Sequence, residues 1–418
     1  MRHDSSPSLA TPGSPTPTAA KHDNAYANRA LWASAIGYAM DGFDLLILGF
    51  ILPAIAADLA LSSAQSGALV TWTLIGAVVG GIVFGMLSDR FGRVRVLSWT
   101  ILLFAVFTGL CSLAQGYWDL LAYRTIAGIG LGGEFGIGMA LAAEACAPER
   151  RARASSFVGL GWQAGVLAAA LLTPLLLPVI GWRGMFAIGL LPAVVSFVMR
   201  RTLGEPEMFL AQQQQPREHA PLKLLVKDAA TTRASLGVAL LCSVQNFGYY
   251  GLMIWMPSYL SKTFGYSLTK SAMWTAVTVL GMAFGIWLFG RLADRFGRRP
   301  TFITYQIGAV VMVFVYAQLQ SQFSLLIGGA VMGMFVNGMI GGYGALISEL
   351  YPTAARATAQ NVLFNIGRAV GGFGPLTVGA LAAAFSFKIA LVFLAGIYVL
   401  DILATLLLIP ERRGEALQ

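Results

Sequence analysis

Charged side chains are scarce in this sequence: 11% of 418 residues, against 57% hydrophobic. An ordinary soluble domain carries roughly 25%. So few charges cannot cover a water-facing surface of this size, which leaves lipid as the solvent for most of the chain. Histidine is scarce too. His3, His22 and His219 all lie outside the apolar segments, so no histidine proton relay crosses a membrane. Cysteine is limited to Cys111, Cys146 and Cys242, with neither disulfide nor metal-ligand spacing. They read as small packing residues, and no metal or other cofactor is expected. There is no phosphate-binding glycine loop, no nucleotide-binding domain, and no Ser/His or Cys/His arrangement. An ATP-driven pump and an enzyme are thereby disfavoured.

What the sequence does contain is apolar segments near 30–55, 65–87, 96–115, 119–143, 155–178, 183–200, 235–258, 271–291, 301–319, 323–347, 358–384 and 388–409. A bilayer core of about 30 Å takes about 20 apolar residues per helix. The expected fold class is an all-α membrane protein: twelve transmembrane helices in two six-helix pseudo-symmetric bundles, residues 29–200 and 234–410. Residues 1–28 are rich in Ser, Thr, Pro and Ala, lack the features of a signal peptide, and read as a disordered cytoplasmic tail. Residues 201–233, with the run Gln212 to Gln215, read as a cytoplasmic linker, and 411–418 as a second tail.

The net charge of +9 could suggest a nucleic-acid partner, but its distribution excludes one. Arg90, Arg93, Arg95, Arg150, Arg151, Arg153, Arg200, Arg201, Arg291, Arg295, Arg298 and Arg299 fall on the even-numbered connections. The odd-numbered ones carry only Arg183, Lys262, Lys270 and Lys388. The positive-inside rule places both termini in the cytoplasm.

The halves repeat. Gly85-Met-Leu-Ser-Asp89-Arg90-Phe91-Gly92-Arg93 returns 205 positions later as Gly290-Arg-Leu-Ala-Asp294-Arg295-Phe296-Gly297-Arg298. Glu144 returns at the same offset as Glu349, and Pro53 at nearly the same offset as Pro257. Two such units around a midplane cavity are the architecture of an alternating-access carrier.

Asp41 and Asp44 stand at i and i+3, on one helix face near the expected bilayer centre. A carboxylate there is costly unless paired, protonated or wet, so at least one is a candidate proton-coupling site. Arg124, Glu134 and Glu144 lie along the fourth segment, about 15 Å apart at 1.5 Å per residue. Arg124 can pair with a first-segment carboxylate or with Glu134. Arg368, deep in the eleventh segment, corresponds to Gln163 in the fifth. An arginine there is expensive unless it meets an anion; it offers a planar fork to a substrate carboxylate, or pairs with Asp401, Glu349 or a first-segment Asp. Gln245 with Tyr249, and Asn246 with Tyr250, are four apart on the seventh segment and suit a pocket for a small or flat organic acid. Trp255, Asn337, Tyr343, Asn361 and Asn365 are candidates to join it. Packing is the alternative role for each aromatic.

The doubled G-x-L-x-D-R-x-G-R element, and Arg124-Thr-Ile-Ala-Gly128-Ile-Gly130, resemble the major facilitator superfamily over residues 29–412. Asp41-Gly42-Phe43-Asp44 looks like the D-G-[FY]-D of its aromatic acid:proton symporters, while Leu131-Gly132-Gly133-Glu134-Phe135 leans toward carboxylate- and sialate-transporting relatives. The resemblance implies a gate. Asp89 and Arg93, and Asp294 and Arg298, would pair with neighbouring helices when the cytoplasmic side closes. Arg150, Arg151 and Arg153 with Glu144, and Arg356 with Glu349, are expected in the same networks. It also implies proton coupling at Arg124. The expected function is proton-coupled uptake of a small organic anion, plausibly aromatic, by a plasma-membrane protein expected to be monomeric. A carrier of non-aromatic carboxylates (sialate, lactate, a dicarboxylate, nicotinate) is the alternative. A drug or metabolite exporter is disfavoured, because Gly161-Trp-Gln-Ala-Gly165 lacks the Gly-Pro of the antiporter motif.

Overall fold

The computed structural model describes residues 17–214, 221–265 and 268–413. The first half comprises α1 (Pro17–Asp58), α2 (Ser63–Phe91), α3 (Arg93–Cys111), α4 (Tyr117–Ala145), α5 (Arg151–Ile188) and α6 (Leu191–Thr202). Two short helices follow, α7 (Glu207–Gln213) and α8 (Pro221–Leu224). The second half comprises α9 (Ala229–Phe264), α10 (Leu268–Phe296), α11 (Arg298–Tyr316), α12 (Gln322–Gly338), α13 (Ile340–Leu350), α14 (Arg356–Gly371), α15 (Gly374–Ala384) and α16 (Phe387–Leu408).

These helices trace the twelve expected spans, with three differences. α5 runs through the fifth span and into the sixth, broken at Gly181 (φ 64°, ψ 178°), and α6 completes the sixth. The tenth span is α12 plus α13, and the eleventh is α14 plus α15. Ten helices among the described residues are both long and apolar enough to cross a membrane. The ninth span, α11, is long enough but carries Arg298, Arg299 and Gln306, which lower its hydropathy.

One boundary expected from composition needs correction. Helix α1 begins at Pro17, inside the stretch read as a disordered tail; residues 1–16 lie outside the described residues. Its Ala-rich opening is compatible with helix even though it is not apolar. Within the linker 201–233 lie α7 and α8, while 215–220 fall outside the described residues, as do 414–418 of the second tail.

Pairings repeat between the halves. Helices α2 and α4 pack together, as do α10 and α12; α1 packs on α5, and α9 on α14. The close approach has a sequence cause. A Cβ at Gly80 would clash with the Ile129 carbonyl, and one at Gly285 with the Met334 carbonyl. Glycine lets the backbones touch, the usual device where lipid provides no hydrophobic drive between helices. The halves join through α2 against α14 and, symmetrically, α10 against α5.

The two D-R-F-G-R turns share a further feature. Gly92 (φ 118°) and Gly297 (φ 108°) adopt a conformation that only glycine takes readily. Each turn exposes the N-terminus of the next helix to a carboxylate from the end of its own half. Glu205 accepts from the amides of Val94 and Arg95 (3.1 and 2.9 Å), and Glu411 from those of Arg298 and Arg299 (3.1 and 2.7 Å). Anionic side chains are favoured there by the helix dipole. This gathers the chain after α6, the chain after α16 and both D-R-F-G-R turns at one end of the bundle, the connector end.

Candidate functional site

At the connector end the two halves are clamped together by buried ions. Asp89 accepts from the Ala357 and Thr358 amides (3.2 and 2.8 Å) and from the Thr358 hydroxyl (2.6 Å), so a first-half carboxylate caps second-half helix α14. Asp294 repays the arrangement on α5, accepting from the Ala152 and Arg153 amides at 3.1 Å each. Arg93 ties Asp89 (2.7 Å) to Glu144 (3.0 Å), and Arg298 ties Asp294 (3.2 Å) to Glu349 (2.7 Å).

Arg150 is exposed and forms no ion pair among the described residues; the other expected members are present, but two sets of partners are exchanged. Arg356 pairs with Glu144 at 2.8 Å rather than with Glu349, and Arg151 reaches Glu349 at 3.8 Å rather than Glu144. Arg153 goes to Asp294 at 3.3 Å. The reason is the interface itself. Each 3₁₀ turn, Pro148–Arg150 or Thr353–Ala355, is followed by the arginine, Arg151 or Arg356, that reaches across to the other half. A cavity of about 1120 Å³ beside Glu144 is lined by Arg29, Trp32, Arg150 and Glu205; it belongs to the connector end of the first half.

Deeper in, α1 presents its two aspartates to different partners. Arg124 donates to both oxygens of Asp44 (3.2 and 3.0 Å), and the Thr108 hydroxyl adds a bond of 2.9 Å. Of the two partners open to Arg124, the first-segment carboxylate is the one it takes. Asp41 is buried, and among the described residues neither of its oxygens has a hydrogen-bond partner. Its nearest cation is Arg368 of the opposite half, Nη2 to Oδ2 at 3.9 Å. That is a charge contact outside hydrogen-bonding range. Glu134, also buried, has no partner for either oxygen and lies within electrostatic reach of Asp41.

Aromatic rings enclose this cross-half pair. Arg368 lies over Trp162 and Phe364, 5.6 Å from each ring centre, with Tyr38 and Tyr250 beside it. Phe135 stacks on Phe364 at 3.8 Å, and Tyr38 packs on Phe135 and on Trp162 at 5.2 Å each. The guanidinium thus meets ring faces, where a cation is attracted to the π-system.

The polar residues of α9 divide. Tyr250 reaches Arg368, and Tyr249 reaches Trp162 across the interface. Gln245 donates to Asn337 at 2.8 Å inside the second half, and Asn246 to the Cys242 carbonyl of its own helix. Asn365 bridges the halves, donating to the Gly132 carbonyl at 3.1 Å, while Asn361 accepts from the Gly136 amide at 3.0 Å. Gln163 is buried with its whole amide unpartnered. Trp255 bonds the Pro375 carbonyl, and Tyr343 the Leu241 carbonyl, both away from Arg368.

The sequence pattern of the Major Facilitator Superfamily matches residues 34–286 and 247–418, between them nearly the whole described chain. The chain belongs to the major facilitator superfamily. It is therefore a multi-pass membrane transporter and not an enzyme. It is 65% identical over 401 residues to a putative metabolite transport protein of Haemophilus influenzae, covering 94% of this chain and 98% of that one. It is 30% identical over 385 residues to the cis,cis-muconate transport protein of Acinetobacter baylyi, covering 91% and 93%. Among solved structures it resembles the proton:xylose symporter bound to 6-bromo-6-deoxy-D-glucose (TM-score 0.78, 21% identity, covering 94% and 98%), a likeness of fold.

Within this superfamily member, sequence reasoning missed Tyr38, Phe135, Trp162 and Phe364. Signals for them existed. Tyr38 precedes Asp41 by three residues, and Phe364 precedes Arg368 by four, so each shares a helix face with a charge already singled out. Trp162 adjoins Gln163. Apolar surroundings hid them, because an aromatic in a membrane helix reads first as packing.

Proposed function

We propose that this transporter carries out proton-coupled uptake of a small planar organic carboxylate by alternating access. The carrying observation is the loose contact between Arg368 and Asp41, across the half–half interface and inside a ring of aromatics. Arg368 brings a fork suited to a carboxylate but spends it on a protein acid that it does not hydrogen-bond. Protonation of Asp41 removes the competing anion and frees Arg368 for the carboxylate of the cargo. Tyr38, Trp162, Phe364 and Tyr250 then supply flat walls for an unsaturated body. Without the proton, a second anion beside Asp41 is repelled; this makes co-transport obligatory.

Glu134 is the second acid of this relay. It has no cation of its own and exchanges its proton with Asp41. Asp44 and Arg124 are already mutually satisfied, so they act by holding α1 against α4. Gln163, Gln245, Asn246, Asn337 and Asn365 form the polar surround that shifts as the halves rock.

The arginine-rich connector end, with both termini, faces the cytoplasm of a cell membrane under the positive-inside rule. The clamp of Asp89, Arg93, Glu144 and Arg356 with Asp294, Arg298, Glu349 and Arg153 is then the closed cytoplasmic gate. Buried pairs of this kind bias a two-state equilibrium without locking it. The cargo is an aromatic acid. The cis,cis-muconate relative favours a second reading, a conjugated open-chain acid with the same flat shape and charge.

Proteoliposome uptake tests both readings, with labelled hydroxybenzoate and labelled muconate offered separately under an inward proton gradient. Accumulation of either, abolished by a protonophore, supports the proposal and selects the cargo. Uptake that ignores the gradient removes the coupling claim. Transport of neither acid removes the substrate class.

A further inference from the structure

The second half contains a buried acid that plays no part in the site above. Asp401 lies on α16, fully buried, about 10 Å from the Leu408 end at 1.5 Å per residue. Among the described residues neither of its oxygens has a hydrogen-bond partner, and no lysine or arginine forms an ion pair with it. The Gln306 amide of α11 lies close enough to act on the Asp401 carboxylate; one of its N–H groups donates to Thr405 Oγ1 at 2.7 Å, the other stays outside hydrogen-bond geometry with Asp401, and Gln306 Oε1 is left unpartnered among the described residues. Thr405 cannot help, since its hydroxyl donates to the Asp401 backbone carbonyl at 2.9 Å.

The titratable groups facing Asp401 are all neutral in their ordinary state. They are the Cys242 thiol from α9, the Tyr343 phenol from α13 and the Tyr398 phenol one turn back on α16. Tyr343 gives its proton to the Leu241 carbonyl at 3.0 Å. Tyr398 Oη is unpartnered and tucks against Gly248 of α9. α15 has no ionisable residue, and the arginines of α11 and α9 are spent at the connector end: Arg298 on Glu349, Arg299 on the Leu406 carbonyl and Arg233 on the Leu407 carbonyl. The cluster therefore holds several idle acceptors and one ionisable acid, with no positive charge. Hard metal ions take about six oxygens, and the idle oxygens here are four, from Asp401, Gln306 and Tyr398. A proton satisfies it: it neutralises the carboxyl and turns one oxygen into a donor for Gln306 Oε1 or Tyr398 Oη.

We propose that Asp401 is a resident proton-binding site of the second half, a neutral carboxylic acid built in behind the substrate helices and separate from the acids of α1 and α4. It is well placed for such a role. Cys242, which lies within electrostatic reach of it, is packed on Gly367 of α14, the residue before Arg368. An ionised carboxylate there would push charge into the back of the two helices, α9 and α14, that carry Tyr250 and Arg368.

The test is an infrared difference spectrum at neutral pH, wild type minus Asp401→Asn, on protein reconstituted in liposomes with and without sodium. The expected result is the carbonyl band of a protonated carboxylic acid, lost in the variant and indifferent to sodium. A carboxylate signature at that position, or a band that sodium removes, overturns the proposal. If Asp401→Asn does not fold, the band is sought in Asp41→Asn/Glu134→Gln protein, where Asp401 remains the membrane acid without a cation. Because Asn copies the neutral acid, Asp401→Asn should retain counterflow of labelled hydroxybenzoate or muconate, whichever the wild type carries, within about twofold; a tenfold loss contradicts a resident proton. None of these readouts depends on whether uptake follows a proton gradient.

Discussion

Arg356 crosses from the second half to meet Glu144 of the first at 2.8 Å, and the same carboxylate holds Arg93 at 3.0 Å. One buried anion thus joins the arginine of its own half's D-R-F-G-R turn to the helix start of the other half. Its counterpart, Glu349, holds Arg298 at 2.7 Å but Arg151 only at 3.8 Å. The gate is symmetric in plan and unequal in tightness.

That inequality makes a prediction. Glu144→Gln removes the anion that Arg93 and Arg356 share, leaving Asp89 as the carboxylate on Arg93, and removing one partner of a buried pair costs about 3–5 kcal/mol. Glu349→Gln should cost less, since one of its contacts is already long. Spin-label distances between the halves at the connector end should widen more in the first variant than in the second. Equal widening would contradict it.

Asp89 and Asp294 each cap a helix of the opposite half. Losing an N-cap to alanine costs about 1 kcal/mol and up to about 2, so Asp89→Ala and Asp294→Ala should each favour the open gate by roughly five- to thirty-fold. Cysteine labelling at the connector end measures this. Unchanged labelling in both variants would mean that the caps are not part of the gate.

Gly80→Ala and Gly285→Ala should both destabilise the fold, by about 1–3 kcal/mol, because a methyl group has no room against the Ile129 or Met334 carbonyl. Thermal unfolding in detergent is the readout. A variant that melts with wild type would show that α2–α4 or α10–α12 can separate freely.

For the cargo site, Arg368→Lys keeps the charge but loses the planar fork. Substrate affinity should fall by roughly tenfold or more, as a charge-assisted hydrogen bond is worth about 1.5–3 kcal/mol. Binding by calorimetry decides it, and full affinity in the lysine variant rules out bidentate recognition.

Asp41→Asn imitates the protonated aspartate. It should abolish uphill accumulation while sparing counterflow, and its binding of substrate should lose pH dependence. Sign matters here. In wild type, binding strengthens as pH falls through the titration of Asp41, because protonation removes the anion facing Arg368. Binding in the variant that still strengthened with acid would place the coupling proton elsewhere.

Much of this was legible in the residues. Lipid as solvent followed from the shortage of charge, and the two halves followed from the repeat of Asp89 at Asp294 and Glu144 at Glu349. The spacing of Asp41 and Asp44 placed them on one helix face. It did not reveal that they would part company, Asp44 to Arg124 and Asp41 toward Arg368, 327 residues away in sequence. The partners of Arg356 and Arg151 were misread for the same cause. Local spacing suggests neighbours within a half, whereas the gate is built between halves.

By itself the sequence determined what acts within one helix or one turn. This covers the length of each apolar run, the glycines of the two tight turns, the sidedness of the arginines and the twofold repeat. Those features arise from local sterics and from transfer to lipid, which depend only on neighbouring residues. Tertiary structure decided which buried charge meets which, that aromatic rings surround Arg368, and that Asp401 meets no cation among the described residues. These depend on how two rigid halves dock, and the energy of a buried charge is set by whatever the docking brings within a few ångströms.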